Sequence, residues 1–349
     1  MAAFITFQPS DFFSTCTWDG NSSTQTVTGA GFQPDYTSLN AVSESSTWQG
    51  TDSVRGTTNY LHWNTGGHTE GRTDAITAFN ADGYAIGANG DTNATSQSYI
   101  GFNWKAGTTT GIAGSPSITP DAYSFNATAG FSIIKWTGTG ANATLPHGLG
   151  KAPTMMWLKN TNGGESWAVY QKYVKASAPE SWYMELDTSD ATSTDAAWWN
   201  TTQPTSTLFS VGSSSKTNST GDPMEAYCFA PIQGHSIFGR YYGNATDNGP
   251  FIQTNFRPKF VVLKRLDGTT SWKIFANPNY TINTGADADA MDVNTGAARA
   301  SFGKIDFVSN GFKIRDSDSI FNTNGSQNVY WAFAEFPFVS SNSKAGVAR

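Results

Sequence analysis

Glu165, Glu180, Glu185, Glu225 and Glu335 are the residues of this chain best suited to acid–base chemistry. Cutting a glycosidic bond needs two carboxyl groups held on opposite sides of it. No spacing among these five pairs two of them, and Glu335 follows an aromatic strand, where a solvated strand end is the plain reading. His62 and His68 bracket Trp63 and two glycines but have no third ligand at zinc spacing, so they read as ordinary loop histidines. Asp287, Asp289 and Asp292 place three carboxylates close together, which suits a hard cation such as Ca²⁺. That run lacks the glycine and terminal glutamate of an EF-hand and reads better as a solvated acidic loop. There is no Gly-x-Ser-x-Gly elbow, and neither Cys16 nor Cys228 has an activating context. These residues predict a protein that is not an enzyme and carries no cofactor.

The elements that would hold such residues repeat along the chain. Pro34, Pro153 and Pro258 are each followed fourteen residues later by a tryptophan, Trp48, Trp167 and Trp272. After the second and third prolines an apolar run, Met155 to Asn160 or Phe260 to Arg265, meets a glycine turn. The chain then returns as Ser166 to Tyr170 or Ser271 to Phe275, which is a hairpin pattern. Each copy continues with a period-two strand (Gly83–Ile86, Leu208–Val211, Gly311–Ile314), an Asn-rich turn around Asn93, Asn218 or Asn324, and an aromatic strand. An entry strand also recurs, at Phe131 to Gly138, at Ile237 to Gly243 and, more weakly, at Cys16 to Gly20. A large ring at one recurring position argues for a core role, so the three tryptophans and their prolines are expected to build the core of each copy.

The pattern predicts an all-β chain of three tandem antiparallel β-sandwich units of about 100 residues each, with little helix. The expected boundaries are an attachment segment and first strand over 1–22, repeat 1 over 23–107 and a Gly/Ser/Thr/Pro linker over 108–129. Repeat 2 then spans 130–233, repeat 3 spans 234–340, and 341–349 is a tail. Thr51 to Arg72, carrying Arg55, His62, Trp63 and His68, reads either as a binding loop or as an excursion that packs one unit on another. Trp63, Trp198, Trp199, Tyr241 and Tyr242 fall outside the shared pattern or occur as adjacent pairs. Neighbours on a strand face opposite ways, so these are the candidate surface or interface aromatics.

Composition narrows the function classes. With 12 Trp, 13 Tyr and 23 Phe and only 14% charged residues, the chain is too aromatic and too weakly charged for disorder. A net charge of −6 gives no field for phosphate backbones, so nucleic acid is not an expected partner. No apolar run approaches the roughly 20 residues of a membrane helix, so no membrane insertion is expected. The first basic residue is Arg55 and only two cysteines occur, which predicts folding in reducing cytosol without a secretory leader. The nine Asn-x-Ser/Thr sequons therefore carry no meaning as glycan acceptors.

The residues also carry a family likeness. Phe4 to Phe12, followed by Thr28 to Asp35, resembles the opening of tail-fibre-like virion proteins of marine bacteriophages. So do Asp52 to Gly56, His147 to Gly150 with Ala152-Pro153, Phe256-Arg257-Pro258, and the closing Gly311 to Arg315 and Ala332 to Glu335. The chain departs from that pattern at Tyr36 to Asn40, where the family has a more apolar strand. The resemblance implies a non-enzymatic virion protein, a tail fibre or adhesin for host attachment, folded in the host cytoplasm and released by lysis. It implies a homotrimer that contacts other virion proteins and host cell-surface glycan, and in such a setting the unassigned aromatics favour interfaces. A capsid-decorating or vertex protein built from the same units is the competing reading, and a glycan-degrading fibre enzyme the third.

Overall fold

A computed structural model describes residues 7–277, 282–284, 288–317 and 320–337. The chain is all-β, and its α-helices among these residues are three single turns, Gly90–Asn93, Ala196–Trp199 and Ser215–Asn218. Ser, Thr, Asn and Gly fill the gaps between short apolar runs, a composition that favours turns and interrupts helices.

Three large antiparallel sheets share one strand order. The first runs Phe13–Asp19, Ser98–Trp104, Tyr36–Ala41, Gln49–Asp52, Tyr60–Leu61, His68–Thr69. The third runs Ser236–Tyr242, Gln327–Pro337, Phe256–Arg265, Lys273–Ala276, Asp289–Asp292, Ala300–Ser301. The second repeats the order from Phe131–Thr137 through Pro223–Phe229, Met155–Asn160, Ala168–Gln171 and Trp182–Glu185 to Ser193–Thr194, and adds Ala122–Asn126 at its edge. Smaller sheets accompany them, including Gln25–Thr28 with Gly83–Ile86, Ala143–Pro146 with Leu208–Val211, and Phe251–Gln253 with Gly311–Ile314.

The first strand expected within 1–22 is Phe13–Asp19, which pairs along its whole length with Ser98–Trp104, and Phe13 is fully buried. The expected linker ends early, because Tyr123 and Phe125 alternate with Ala122 and Ser124 in a strand that pairs with Phe131–Thr137. Residues 1–6 and 338–349 lie outside the described set.

The recurring tryptophans do not sit in three separate cores. Trp48, Trp167 and Trp272 all belong to one buried cluster that draws on every large sheet, with Trp63, Trp104, Trp157 and Trp331 among its rings. Each sheet also has a satellite cluster of its own, for example Cys16, Leu39, Tyr84 and Ile86 beneath the first. Pro34, Pro153 and Pro258 are buried at the start of the strand that leads into each hairpin. At Pro258, which has no N–H to give the ladder, the register shifts.

Of the indole N–H groups buried in this cluster, those of the three recurring tryptophans find acceptors on a neighbouring sheet. Trp48 donates to the Asp292 carbonyl (2.9 Å), Trp272 to that of Glu185 (2.9 Å) and Trp167 to that of His62 (2.7 Å). First sheet to third, third to second and second to first, the bonds close a cycle. Each tryptophan is fixed at its backbone as well, by a side-chain oxygen of Asn64, Asp187 or Asn294 from its own sheet region.

A buried asparagine closes each copy in the same way. Asn93, Asn218 and Asn322 are fully buried, and their side-chain oxygens accept from the backbone N–H of Asn21, Thr139 and Asn244. The third is Asn322, two residues before the Asn324 expected from the turn pattern. Beside each stands a glycine, Gly20, Gly138 or Gly243, where a Cβ would lie 2.0, 2.0 or 2.3 Å from a carbonyl oxygen of the facing turn. Only glycine fits there, which is why the entry strands end on it.

Replacing Trp167 by Phe removes the N–H bonded to the His62 carbonyl and leaves a gap in the shared cluster. Urea unfolding should show a loss of about 3 kcal/mol, and Trp48→Phe and Trp272→Phe should cost similar amounts. A near-zero cost at any one of them would contradict an equal role for the three bonds.

Candidate functional site

The glutamates with acid–base potential are dispersed, and all but Glu180, which sits in the short turn Pro179–Ser181 with a buried carboxyl oxygen that bonds to nothing described, are engaged. Glu185 pairs with Lys216, Glu335 with Arg257 (3.0 Å), and Glu165 accepts from Ser215 (3.1 Å). Glu225 is fully buried where the first and second sheets meet. Its Oε2 lies 2.5 Å from Arg55 Nε, which also lies 3.0 Å from Asp52 Oδ2. The Tyr227 hydroxyl is within hydrogen-bond reach of both carboxyl groups. Asp52 holds the turn that delivers Arg55, because its Oδ1 accepts from the N–H of Val54 and of Arg55. Thr51 to Arg72 is thus an excursion that packs one sheet on another, with Arg55 and Trp63 turned inward.

Two carboxyl groups face one guanidinium here, and burial decides how they titrate. Burial, reinforced by the Asp52 charge, pushes the Glu225 carboxyl well above the usual range. Burial opposes the charge of Arg55, but the two carboxylates outweigh it and raise its pKa. Other ionisable groups are also internal. Lys159 donates to the carbonyls of Asn160, Gly163 and Glu165 and is lowered by burial to about 8. Lys264 donates to the carbonyls of Ser189 and Thr270 and is lowered by burial to about 7. These ammonium groups occupy one position in two copies and hold the loop before the recurring tryptophan. Cys16 and Cys228 are buried free thiols raised to about 11 and about 12, too high for a nucleophile at neutral pH.

The expected surface aromatics are mostly internal. Trp63, Trp198, Trp199 and Tyr241 are buried, and only Tyr242 is exposed. Trp63 stacks on Trp48 and meets Trp157 edge-on, so it joins the first and second sheets. Trp198 and Trp199 lie on a helical turn, where neighbours need not face opposite ways, and both enter the satellite cluster of the second sheet. The expectation that adjacent rings point opposite ways holds for strands and not for this helical turn.

The acidic run is paired rather than open. Asp292 contacts Lys273, Asp289 lies 3.4 Å from Arg299, and Asp287 is outside the described residues. Among the described residues no group of three or more His, Cys, Asp or Glu side chains could hold a metal ion. His68 lies in a two-residue strand pairing opposite Leu61, His62 follows that strand, and burial lowers the His62 pKa.

Two further surface features occupy equivalent seams between sheets. The first is a cleft of about 650 Å³ between the first sheet and the edge strand Ala122–Asn126. Gln33, Asp35, Ser53, Lys105 and Asp121 line it. Asp35 at its base is saturated by Ser53, Ser124 and the N–H of Ala106, so it ties the walls together. The second lies between the second and third sheets, where Tyr173 and Tyr242 stand exposed. Register makes Tyr173 the counterpart of Val54 in the cleft wall, since Asp52 and Gln171 pair with the equivalent Tyr36 and Met155. Sequence reasoning missed Tyr173, whose only signal was its place three residues beyond the strand predicted to end at Tyr170.

Glu225→Gln removes the carboxyl that burial and the Asp52 charge push up, while keeping a side chain of the same shape. A folded pKa above the free value makes the wild type lose stability as pH rises from about 4.5, and this variant should flatten that slope. Arg55→Met, which strands two buried carboxyl groups, should cost about 3–5 kcal/mol in urea unfolding. His147 shows the opposite slope. It is buried neutral, accepts at Nδ1 from the Leu149 N–H, and is lowered to about 4. Its contribution is present above pH 6.5 and lost as pH falls through 4, so His147→Gln should reduce the drop in Tm between those values.

No curated protein and no solved structure matches this chain. Residues 8–337 match the family described as a domain of unknown function (DUF7483), and with that share of its length covered the chain belongs to that family.

Proposed function

We propose that this chain is a non-enzymatic bacteriophage virion protein, of tail-fibre or adhesin type, built from three tandem β-sandwich units around a common core. The shared strand order supports the tandem reading, together with the cyclic indole bonds and the recurring asparagine and glycine. One observation carries the functional reading. The groups able to do chemistry, Asp52, Arg55, Glu225, Lys159, Lys264 and both cysteines, are buried where they fasten loops and sheets. Chemistry placed inside in this way serves a durable body.

Buried, unpaired thiols suit folding in the host cytoplasm and release by lysis. Host attachment then works through shape and hydrogen-bonding groups at the seams. The homotrimer implied by the family likeness has a counterpart inside the chain, where three similar sheets already close a cycle. Light scattering on the purified protein separates the two: a homotrimer gives three times 37.4 kDa, an internal threefold 37.4 kDa.

Quantitative mass spectrometry of purified particles, with labelled particles imaged in parallel, tests the role. Tens of copies located on the tail are expected. Hundreds of copies spread over the shell would make it a capsid-decorating protein, and absence from particles would end the virion reading. Shortened products after incubation with host envelope polysaccharide would make it an enzyme.

A further inference from the structure

Three large apolar side chains are well exposed among the described residues, and two of them share one seam: Tyr173 at 39% and Tyr242 at 52%. The third, Phe251, lies on a small sheet against Gly311. Gln327 holds the pair together. It faces Tyr242 in the strand ladder, and its side-chain amide donates to the carbonyls of Tyr173 (2.9 Å) and Val174 (3.0 Å). A second tie runs across the same seam, from the Gln171 amide to the Gly239 carbonyl (3.1 Å). The two tyrosines therefore stand on backbone that is fixed on both sides.

Arg240 completes the group. It lies two residues before Tyr242, on the same face of the strand, with its guanidinium 5.8 Å from the Tyr242 ring centre. It makes no ion pair with any described residue. The contrast with Arg55, Arg257, Arg265 and Arg299, each beside a carboxylate, is plain. A chain of net charge −6 thus presents, beside the exposed Tyr242 ring, a planar cation with no ion-pair partner among the described residues.

We propose that this seam is a saccharide site selective for sugars bearing a carboxylate. Each ring offers a flat apolar surface for the C–H face of a pyranose, and each hydroxyl remains free to bond to water or sugar. The guanidinium fork matches a carboxylate in two parallel hydrogen bonds, which a neutral sugar cannot supply. A protein partner is the less suited occupant. Protein hot-spot rings sit in dry pockets inside an apolar surround, whereas here the neighbours are Gln327, Arg240 and the exposed Lys172. The biological setting rests on the adhesin reading, but the binding itself is a property of the purified chain.

Titration calorimetry of the full-length protein with oligogalacturonate, oligomannuronate and, as the neutral control, maltooligosaccharides of equal length tests the site. Both uronates should bind, and the neutral sugars about tenfold more weakly. Tyr242→Ala and Tyr173→Ala should each weaken binding of all three by about fivefold or more, while Phe251→Ala leaves it unchanged. Arg240→Leu should remove the preference for uronates and its salt dependence while keeping the neutral binding, and an unchanged thermal transition confirms folding. No uronate binding at millimolar concentration overturns the proposal, as does binding that ignores Arg240 and both tyrosines. Uronate binding by a protein absent from particles keeps this site and removes the virion role; particle association without uronate binding does the reverse.

Discussion

Three indole N–H groups buried in one aromatic cluster constrain the rest of this molecule. A buried N–H without an acceptor is costly, and each of these tryptophans has its acceptor on a different sheet from its own. No large sheet can therefore satisfy its own central ring. The rings that lie between them extend the dependence: Trp63 touches both Trp48 and Trp157, and Trp331 touches both Trp157 and Trp272. Phe13 near the chain's start stacks on Phe333 near its end, so the first and third sheets meet as closely as sequence neighbours do. Rings bury large areas and prefer tilted or edge-on contacts, which lets three twisted sheets converge without leaving voids.

Around this apolar centre, polar side chains act as local fasteners. The buried asparagines use both ends of the amide, accepting from one turn and donating to carbonyls of another, so a single residue satisfies several backbone groups. The buried lysines do similar work with three donors and no acceptor. Between the first and second sheets the fastener is an ion pair of Arg55 with Asp52 and Glu225, and Asp52 has no charged counterpart at the equivalent Gln171 and Ala276. Where the first copy has polar residues in place of an apolar strand, the structure compensates. Thr37 donates to Asn103 (2.8 Å) and Asn40 accepts from Ser46 (2.9 Å), so Tyr36–Ala41 stays wholly buried.

Function follows from what this arrangement leaves outside. Several titratable groups are drawn inward, and on the proposed reading recognition belongs to the seams, where two sheets present different residues side by side. The seams are alike in construction and unlike in chemistry. An added edge strand turns one into a polar cleft, and the absence of such a strand leaves the other open with its tyrosines and an arginine.

Much of the fold was legible in the order of residues, because strand periodicity, glycine turns and a fixed Pro-to-Trp spacing are local properties. The all-β class, the hairpins at Met155–Asn160 and Phe260, and the three small-sheet strands follow from period-two alternation alone. The Asn-rich turns were legible too, though not which asparagine is buried, since Asn322 and Asn324 differ only in what faces them. Tertiary structure alone decided that the recurring tryptophans share one cluster, that Glu225 is structural, that Trp63 and Trp198 face inward and that Tyr173 faces out. The reason is range: periodicity reports which face of a strand is apolar, but the partner of that face is chosen across the whole chain. Trp48 and the Asp292 carbonyl are 244 residues apart, and no local pattern specifies a bond over that distance.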